Sequence, residues 1–137
     1  MLYDDQNIFA RIIRNELPAI KVYEDEQVLA FMDIMPQAEG HTLVIPKTPA
    51  VTLLDLPPDA AAYTIQIVQK VAQAMKVALD AQGIVLMQLS GASAGQTVPH
   101  VHFHLIPSSV HELGKHALHM GDQEKIKALA ERIKAEL

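Results

Sequence analysis

Three histidines alternate with apolar residues along His100-Val101-His102-Phe103-His104. In an extended strand, residues two apart share a face, so the three imidazoles are predicted to line one surface and the residues between them to be buried. A neutral imidazole is a nucleophile near pH 7, and a neighbouring one can hold charge on phosphoryl oxygens. The chain has no cysteine to compete for this role. The pattern therefore indicates nucleophilic attack on phosphorus.

A loop of small residues comes directly before the histidines. Gly95, Gln96, Thr97 and Val98 offer a hydroxyl, several backbone N–H groups and a glycine that permits close approach. Such donors suit an anionic phosphate. The loop and the histidine row together predict a phosphate site.

Two other interpretations of the histidine row stay open. Neutral histidine is a common ligand for zinc, copper and nickel, but a stable zinc site needs three or four converging ligands, and rings along one strand project in parallel. Residues 97–109 also contain no acid for an outer shell. We therefore expect no required cofactor and no catalytic zinc, although zinc binding stays open. The third interpretation is a nucleotide-binding or partner-binding protein without catalysis.

The spacing of apolar residues predicts the elements that position these histidines. Asn7 is a plausible N-cap for a short helix, and Gly83 is expected to close a long one. Short connections favour an α+β fold with a five-stranded antiparallel sheet, one long helix, a short N-terminal helix and a C-terminal helix. Strands are predicted at 20–24, 28–33, 41–45, 84–89 and 99–106, helices at 8–14, 59–82 and from 121 onward, and one helical turn at 51–55.

Length and charge bound the class of protein. The 137 residues fit one domain, 1–137. A net charge of −5 without a cluster of cations argues against a nucleic-acid partner. No apolar run approaches the roughly 20 residues of a membrane span, and no signal-like start is seen, so a cytoplasmic protein away from membranes is expected. The remaining tail histidines, His111, His116 and His119, are expected at the surface.

The segment from His100 to Ile106 resembles the signature of the histidine-triad (HIT) family, His-φ-His-φ-His-φ-φ with φ apolar. The preceding residues 94–98 and the upstream segments 29–37 and 40–47 are similar to that family too. The resemblance covers a core of about 5–107, and the final helix of the tail, 108–137, is similar to that of the bacterial Hint-like branch. Family members often carry an aromatic residue where this chain has Pro99.

The resemblance implies a homodimer formed by joining two sheets, and a pocket for a purine nucleotide substrate. It implies hydrolysis of purine nucleoside 5′-phosphoramidates, such as AMP–N bonds, through a histidine-nucleotidyl intermediate. A dinucleoside polyphosphate hydrolase of the same family is the alternative. By matching position, His102 would be the nucleophile, supported by His104 and His100, with His41 as a fourth histidine nearby.

The resemblance also implies which residues bind substrate. Thr97, with the backbone from Gln96 to Val98, would bind phosphate, and Asp33 would hold the ribose hydroxyls. Ser90 or Leu89, depending on how the loop aligns, stands where the family often carries asparagine, and Ser90 would partly replace it. The base would be enclosed by apolar side chains, namely Ile8, Phe9, Ile12, Phe31 and Ile34.

Overall fold

The computed structural model describes residues 2–113 and 120–137, so His116 and His119 lie outside the described residues, whereas His111 is exposed as predicted. The fold is α+β, as expected, with three helices and five strands. In chain order these are α1 (Ile8–Ile13), β1 (Lys21–Glu24), β2 (Val28–Met32), β3 (Thr42–Pro46), α2 (Pro58–Ala78), β4 (Val85–Met87), β5 (Phe103–Ile106) and α3 (Gln123–Lys134). Within the described residues, no helix has the length and apolar character to cross a membrane.

The five strands form one antiparallel sheet in the order β1-β2-β3-β5-β4. The last strand in the chain, β5, is thus inserted between β3 and β4. His104 of β5 stands opposite Leu43 on one side and Met87 on the other. The third histidine of the row is therefore held in the middle of the sheet by ladders on both sides.

The two faces of the sheet have different covers. Strand residues such as Val44, Phe103 and Leu105 pack with α2 and α3 in the larger core, together with Val101. On the opposite face, Phe9 and other residues form a smaller cluster beneath α1. The apolar residues between the histidines are buried as predicted, which leaves the histidines to the α1 face.

Helix α1 begins where the sequence indicated. The side chain of Asn7 accepts a hydrogen bond from the backbone N–H of Ala10 and so caps the first turn. The helix buries Phe9 and Ile12 and ends at Ile13, shortly before Asn15 with a φ of 62°. Its apolar side thereby covers the sheet beside the histidine row.

The long helix is shorter than predicted. It ends at Ala78 instead of continuing to residue 82, because Asp80 adopts a left-handed φ of 48° and the chain has already turned before Gly83. Where one helical turn was predicted at 51–55, the structure has a hydrogen-bonded turn at 53–55 that does not continue into a helix. In that turn the carboxylate of Asp55 accepts the backbone N–H groups of Val51 and Thr52.

The strand predicted over residues 99–106 forms only at its end, over Phe103–Ile106. Pro99 has no N–H for a ladder, and the N–H of Val101 bonds the carbonyl of Ala50, in a loop outside the sheet. The strands predicted at 20–24, 28–33 and 84–89 are likewise shorter in the structure, and His41 lies one residue before β3 instead of within it.

Candidate active site

A tight turn places His41 under the sheet. The preceding Gly40 has a φ of +88°, and a Cβ built there would lie 2.5 Å from a side-chain carbon of Leu79, so only glycine fits. The backbone N–H of Gln37 donates to Nδ1 of His41 at 3.1 Å. The imidazole of His41 is almost wholly buried and lies beside His104 of β5.

Hydrogen bonds set the tautomers of His41 and His104. Because the N–H of Gln37 can only donate, Nδ1 of His41 is an acceptor and its proton is on Nε2. That Nε2 lies 2.9 Å from Nδ1 of His104 and donates to it. A neutral His104 therefore carries its proton on Nε2. The pair forms a directed chain of donors that runs from a backbone amide to the third histidine of the row.

The middle histidine has the opposite tautomer. Nδ1 of His102 lies 2.6 Å from the carbonyl oxygen of His100, which can only accept, so Nδ1 carries the proton. In the neutral ring the lone pair is then on Nε2. The ring packs edge to face on Phe9, with the two ring centroids 4.9 Å apart, and its centroid lies 4.8 Å from that of the His104 ring. His102 is thus fixed in position and in the form with a basic Nε2.

The first histidine is held by partners outside the histidine row. Nε2 of His100 lies 2.8 Å from the carbonyl oxygen of Pro46 and Nδ1 lies 2.5 Å from the hydroxyl of Tyr3. The side chain is completely buried. Both ring nitrogens are thus engaged by protein atoms, and His100 contacts His102 through its backbone carbonyl.

A cavity of about 380 Å³ opens between α1 and the end of β2, and its size is within the usual range for small-molecule sites. Among the described residues its lining includes His102 and His104 but neither His100 nor His41. Most of the predicted substrate-binding residues lie around it, namely Ile8, Phe9, Ile12, Phe31, Asp33, Ile34, Gly95, Thr97 and Val98. An apolar wall thus faces two imidazoles and one carboxyl group.

Gln96 and Ser90 are absent from the described lining of this cavity. The side chain of Gln96 instead holds the loop together: its Oε1 accepts the N–H of Gly91, and its Nε2 donates to the carbonyls of Val51 and Val98. The hydroxyl of Ser90 donates to Gln88. The structure therefore gives Gln96 a role in shaping the loop between Gly91 and Val98.

Asp33 follows β2 directly and lies at the rim of the cavity. One of its oxygens accepts the N–H of Met35, and the other lies 3.5 Å from Nε2 of His41. Burial raises the pKa of Asp33 to about 6, against a smaller opposing effect of the Met35 hydrogen bond. The carboxyl group is therefore ionised at neutral pH but close to its titration range.

Burial also keeps the histidines neutral. Burial is the main reason why the pKa values of His41 and of His100 are lowered to about 4 each. Repulsion from a protonated His102 contributes to both, and the hydrogen bond to the Pro46 carbonyl opposes the lowering for His100. The pKa of His102 itself is lowered by burial, against the opposing effect of its bond to the His100 carbonyl. All three are neutral at pH 7, which is the form that a nucleophilic imidazole needs.

The family model for the HIT domain matches residues 14–111. The chain belongs to the HIT domain family. A HIT-like protein from Bartonella henselae, described as involved in cell-cycle regulation, superposes with a TM-score of 0.92 at 47% identity over the whole of both chains. A protein of Schizosaccharomyces pombe named adenosine 5′-monophosphoramidase is 36% identical over 136 residues, covering 95% of this chain and 97% of its own.

Another HIT structure, from Mycobacterium smegmatis, is described as zinc-bound; it is 35% identical with a TM-score of 0.82 and covers 96% of this chain and 92% of its own. In this HIT protein the described residues with suitable donor atoms are Asp33, His41 and His104, all within 4.8 Å of one another. A metal on Nε2 of His41 would displace its proton, while Nδ1 already accepts an N–H. Ligating histidines normally donate from that second nitrogen. A metal ion in this cluster would therefore require the hydrogen bond between Gln37 and His41 to break.

Sequence reasoning missed three partners of the histidines: the hydroxyl of Tyr3, the carbonyl of Pro46 and the contact between Asp33 and His41. Tyr3 and Pro46 lie 97 and 54 positions from His100. No periodicity or motif links residues so far apart, so the sequence carried no signal for these two contacts of His100.

Proposed function

We propose that this HIT protein hydrolyses purine nucleoside 5′-phosphoramidates to a nucleoside monophosphate and an amine. The observation that carries the proposal is the hydrogen bond from Nδ1 of His102 to the His100 carbonyl, because it leaves a basic Nε2 on a ring that lines the cavity. The name of the Schizosaccharomyces pombe relative, adenosine 5′-monophosphoramidase, supports AMP as the nucleotide.

The proposed reaction has two steps at phosphorus. In the first, Nε2 of His102 forms a bond to phosphorus as the P–N bond to the amine breaks, and the amine nitrogen takes up one proton from solvent as it leaves. In the second, the oxygen of water forms a bond to phosphorus as the P–Nε2 bond breaks, and one proton of that water returns to solvent, which releases the nucleotide and restores the neutral imidazole. The proton on Nδ1 of His102 stays in its bond to the His100 carbonyl throughout, so that the positive charge of the intermediate is shared with that oxygen.

His104 is proposed to stabilise the phosphoryl oxygens. His41 donates a hydrogen bond to Nδ1 of His104, so the proton of His104 is on its own Nε2. His104 therefore offers an N–H donor from Nε2, whereas His102 offers a lone pair from Nε2. The hydroxyl of Thr97 and the backbone around it would provide further donors from the loop that Gln96 holds. These groups are fixed before substrate arrives, which is the condition for strong electrostatic stabilisation.

The nucleoside is proposed to lie along the apolar wall formed by α1 and β2. Phe9 and Phe31 would pack against the base, and their own rings already meet edge to face at 5.3 Å. The carboxylate of Asp33 would accept hydrogen bonds from the ribose hydroxyls, with one of its oxygens held by Met35. The cavity of about 380 Å³ is within the usual range for small-molecule sites.

Turnover of adenosine 5′-phosphoramidate, compared with that of a diadenosine polyphosphate, tests the proposal. The wild type should release AMP from the phosphoramidate faster, and His102→Ala should abolish the release. His111→Ala, at an exposed histidine, is the matched control and should be unchanged. Undiminished turnover by His102→Ala would refute the assigned nucleophile, and nucleotide binding without any turnover would indicate a non-catalytic protein.

We also propose that the protein is a homodimer joined at β4. This strand is an edge of the sheet, and its residue Leu86 is 48% exposed. An edge strand leaves unpaired N–H and C=O groups that a second copy can satisfy. Pairing of two such edges would extend the sheet across both protomers.

A further inference from the structure

Tyr3 contacts the histidine row from the N-terminal end of the chain. Its hydroxyl lies 2.5 Å from Nδ1 of His100, and the two rings meet edge to face with centroids 5.6 Å apart. Tyr3 lies before residues 14–111, the part of the chain that the family model matches. The contact is therefore a feature of this chain in addition to its triad signature.

The direction of this hydrogen bond follows from the other side of the ring. Nε2 of His100 faces the carbonyl oxygen of Pro46, which can only accept, so the single proton of the neutral imidazole is on Nε2. Nδ1 is then an acceptor, and the hydroxyl of Tyr3 must donate to it. His100 is thereby held at both nitrogens in one tautomer and one orientation.

The same residue positions the nucleophile. The carbonyl oxygen of His100 receives the Nδ1 proton of His102 at 2.6 Å. A buried imidazole that loses one of its two hydrogen-bond partners is expected to rotate or to change tautomer. Either change avoids the free-energy cost of a buried nitrogen without a hydrogen bond. Movement of His100 would displace the carbonyl that orients His102.

The N-terminal segment is itself anchored. The backbone N–H and the side-chain amide of Asn7 both donate to the carbonyl of Asp4, and the guanidinium of Arg14 donates to the carbonyl of Asp5. These bonds tie the residues that follow Tyr3 to α1, the helix whose Phe9 packs against His102. Tyr3 therefore contacts His100 from a segment that is anchored to α1.

We propose that Tyr3 is a positioning residue that acts through His100 to hold His102 in its nucleophilic tautomer. The proposal concerns residues 3, 100 and 102 in the free protein, and its kinetic consequence rests on the phosphoramidase activity proposed above. Tyr3 touches neither phosphate nor base in this arrangement, so its effect belongs to the rate of the chemical step and not to nucleotide affinity.

Tyr3→Phe tests this, because it keeps the ring and removes the hydroxyl. Tyr63→Phe is the matched control: its hydroxyl also makes a partly buried hydrogen bond of 2.5 Å, but to Asp25, away from the histidines. The imidazole nitrogens of both variants are observed by long-range ¹H–¹⁵N NMR, and kcat and KM are measured with adenosine 5′-phosphoramidate.

In Tyr3→Phe the His100 Nδ1 resonance should move and that of His102 should follow, while Tyr63→Phe leaves both in place. We expect kcat to fall about two- to tenfold with KM unchanged, the effect of one lost hydrogen bond. Unmoved resonances of His100 and His102 overturn the proposal, as does a kcat no lower than that of Tyr63→Phe. If the wild type shows no turnover, the proposed function fails, and the NMR comparison alone still decides the role of Tyr3.

Discussion

Nδ1 of His102 lies 2.6 Å from the carbonyl oxygen of His100, so a backbone atom of the first histidine sets the tautomer of the second. The bond joins residues two apart in the chain, and it lies before β5, where the chain bends at residues 98–100 and is not yet paired in the sheet. In a regular central strand that carbonyl would be committed to a ladder. The interruption of the strand thus leaves the oxygen available for the imidazole.

This geometry predicts where a covalent intermediate forms. When the reaction with adenosine 5′-phosphoramidate is stopped under alkaline denaturing conditions, mass spectrometry should find a nucleotidyl adduct on the peptide that contains His102. The adduct should be absent from His102→Ala and present in His111→Ala. Attachment at His104 would contradict the tautomers derived above, since the hydrogen bond from His41 leaves Nε2 of that ring without a lone pair.

Asp33 should make nucleotide affinity depend on pH. Because burial raises its pKa to about 6, the carboxylate is ionised above that value and protonated below it. The ionised form is the better acceptor for ribose hydroxyls, so the Kd for AMP should increase as the pH falls through 6. We expect Asp33→Asn to weaken binding about tenfold at pH 7.5, the loss of hydrogen bonds to a charged group, and to flatten the pH dependence.

A nucleotide without ribose hydroxyls provides the control for that prediction. Isothermal titration calorimetry with 2′,3′-dideoxy-AMP should give the same Kd for the wild type and for Asp33→Asn at each pH. A variant that weakened both nucleotides equally would show that Asp33 supports the cavity without touching the ribose.

The buried histidines should make stability depend on pH. The unfolded chain binds protons at His41 and His100 below about pH 6.5, whereas their folded pKa values of about 4 prevent this, so the free energy of unfolding falls as the pH drops between these values. The raised pKa of Asp33 acts in the opposite direction below pH 6 but offsets only one of the two histidines. The net loss from pH 6.5 to 4 is on the order of 3 kcal/mol.

Denaturant unfolding at several pH values measures the slope of the free energy of unfolding against pH. His41→Gln should reduce the slope by about one proton, since a glutamine cannot titrate. His111→Gln, at an exposed position, should leave it unchanged. Equal slopes for the wild type and His41→Gln would show that the buried imidazole is not responsible.

The proposed dimer predicts a charge-sensitive edge. Leu86→Glu on β4 should shift the protein toward monomer in sedimentation velocity, because a charge at a sheet edge disfavours edge-to-edge pairing. Lys127→Glu is the control. Lys127 is exposed on α3, which packs against β1 and β2, near the edge of the sheet opposite to β4. A monomeric wild type, or a dimer that Leu86→Glu leaves intact, would contradict the proposed interface.

Several elements could be predicted from local patterns alone. Neighbouring residues determine three of them: the cap at Asn7, the amphipathic spacing of α2 and the alternation of His100 to Leu105. Their limits were less accurate, because competing hydrogen bonds decide where an element ends. The early end of α2 at Ala78 is one example and the late start of β5 at Phe103 is another.

The sequence by itself determined that three histidines alternate with buried apolar residues, because a period of two residues is a local property of the chain. Only the tertiary structure decided what each ring does. His100 is engaged by Tyr3 and Pro46, and His104 by His41, through contacts that span 54 to 97 positions. The physical reason is that a tautomer depends on which donor or acceptor stands beside each nitrogen, and packing of distant segments brings those partners together.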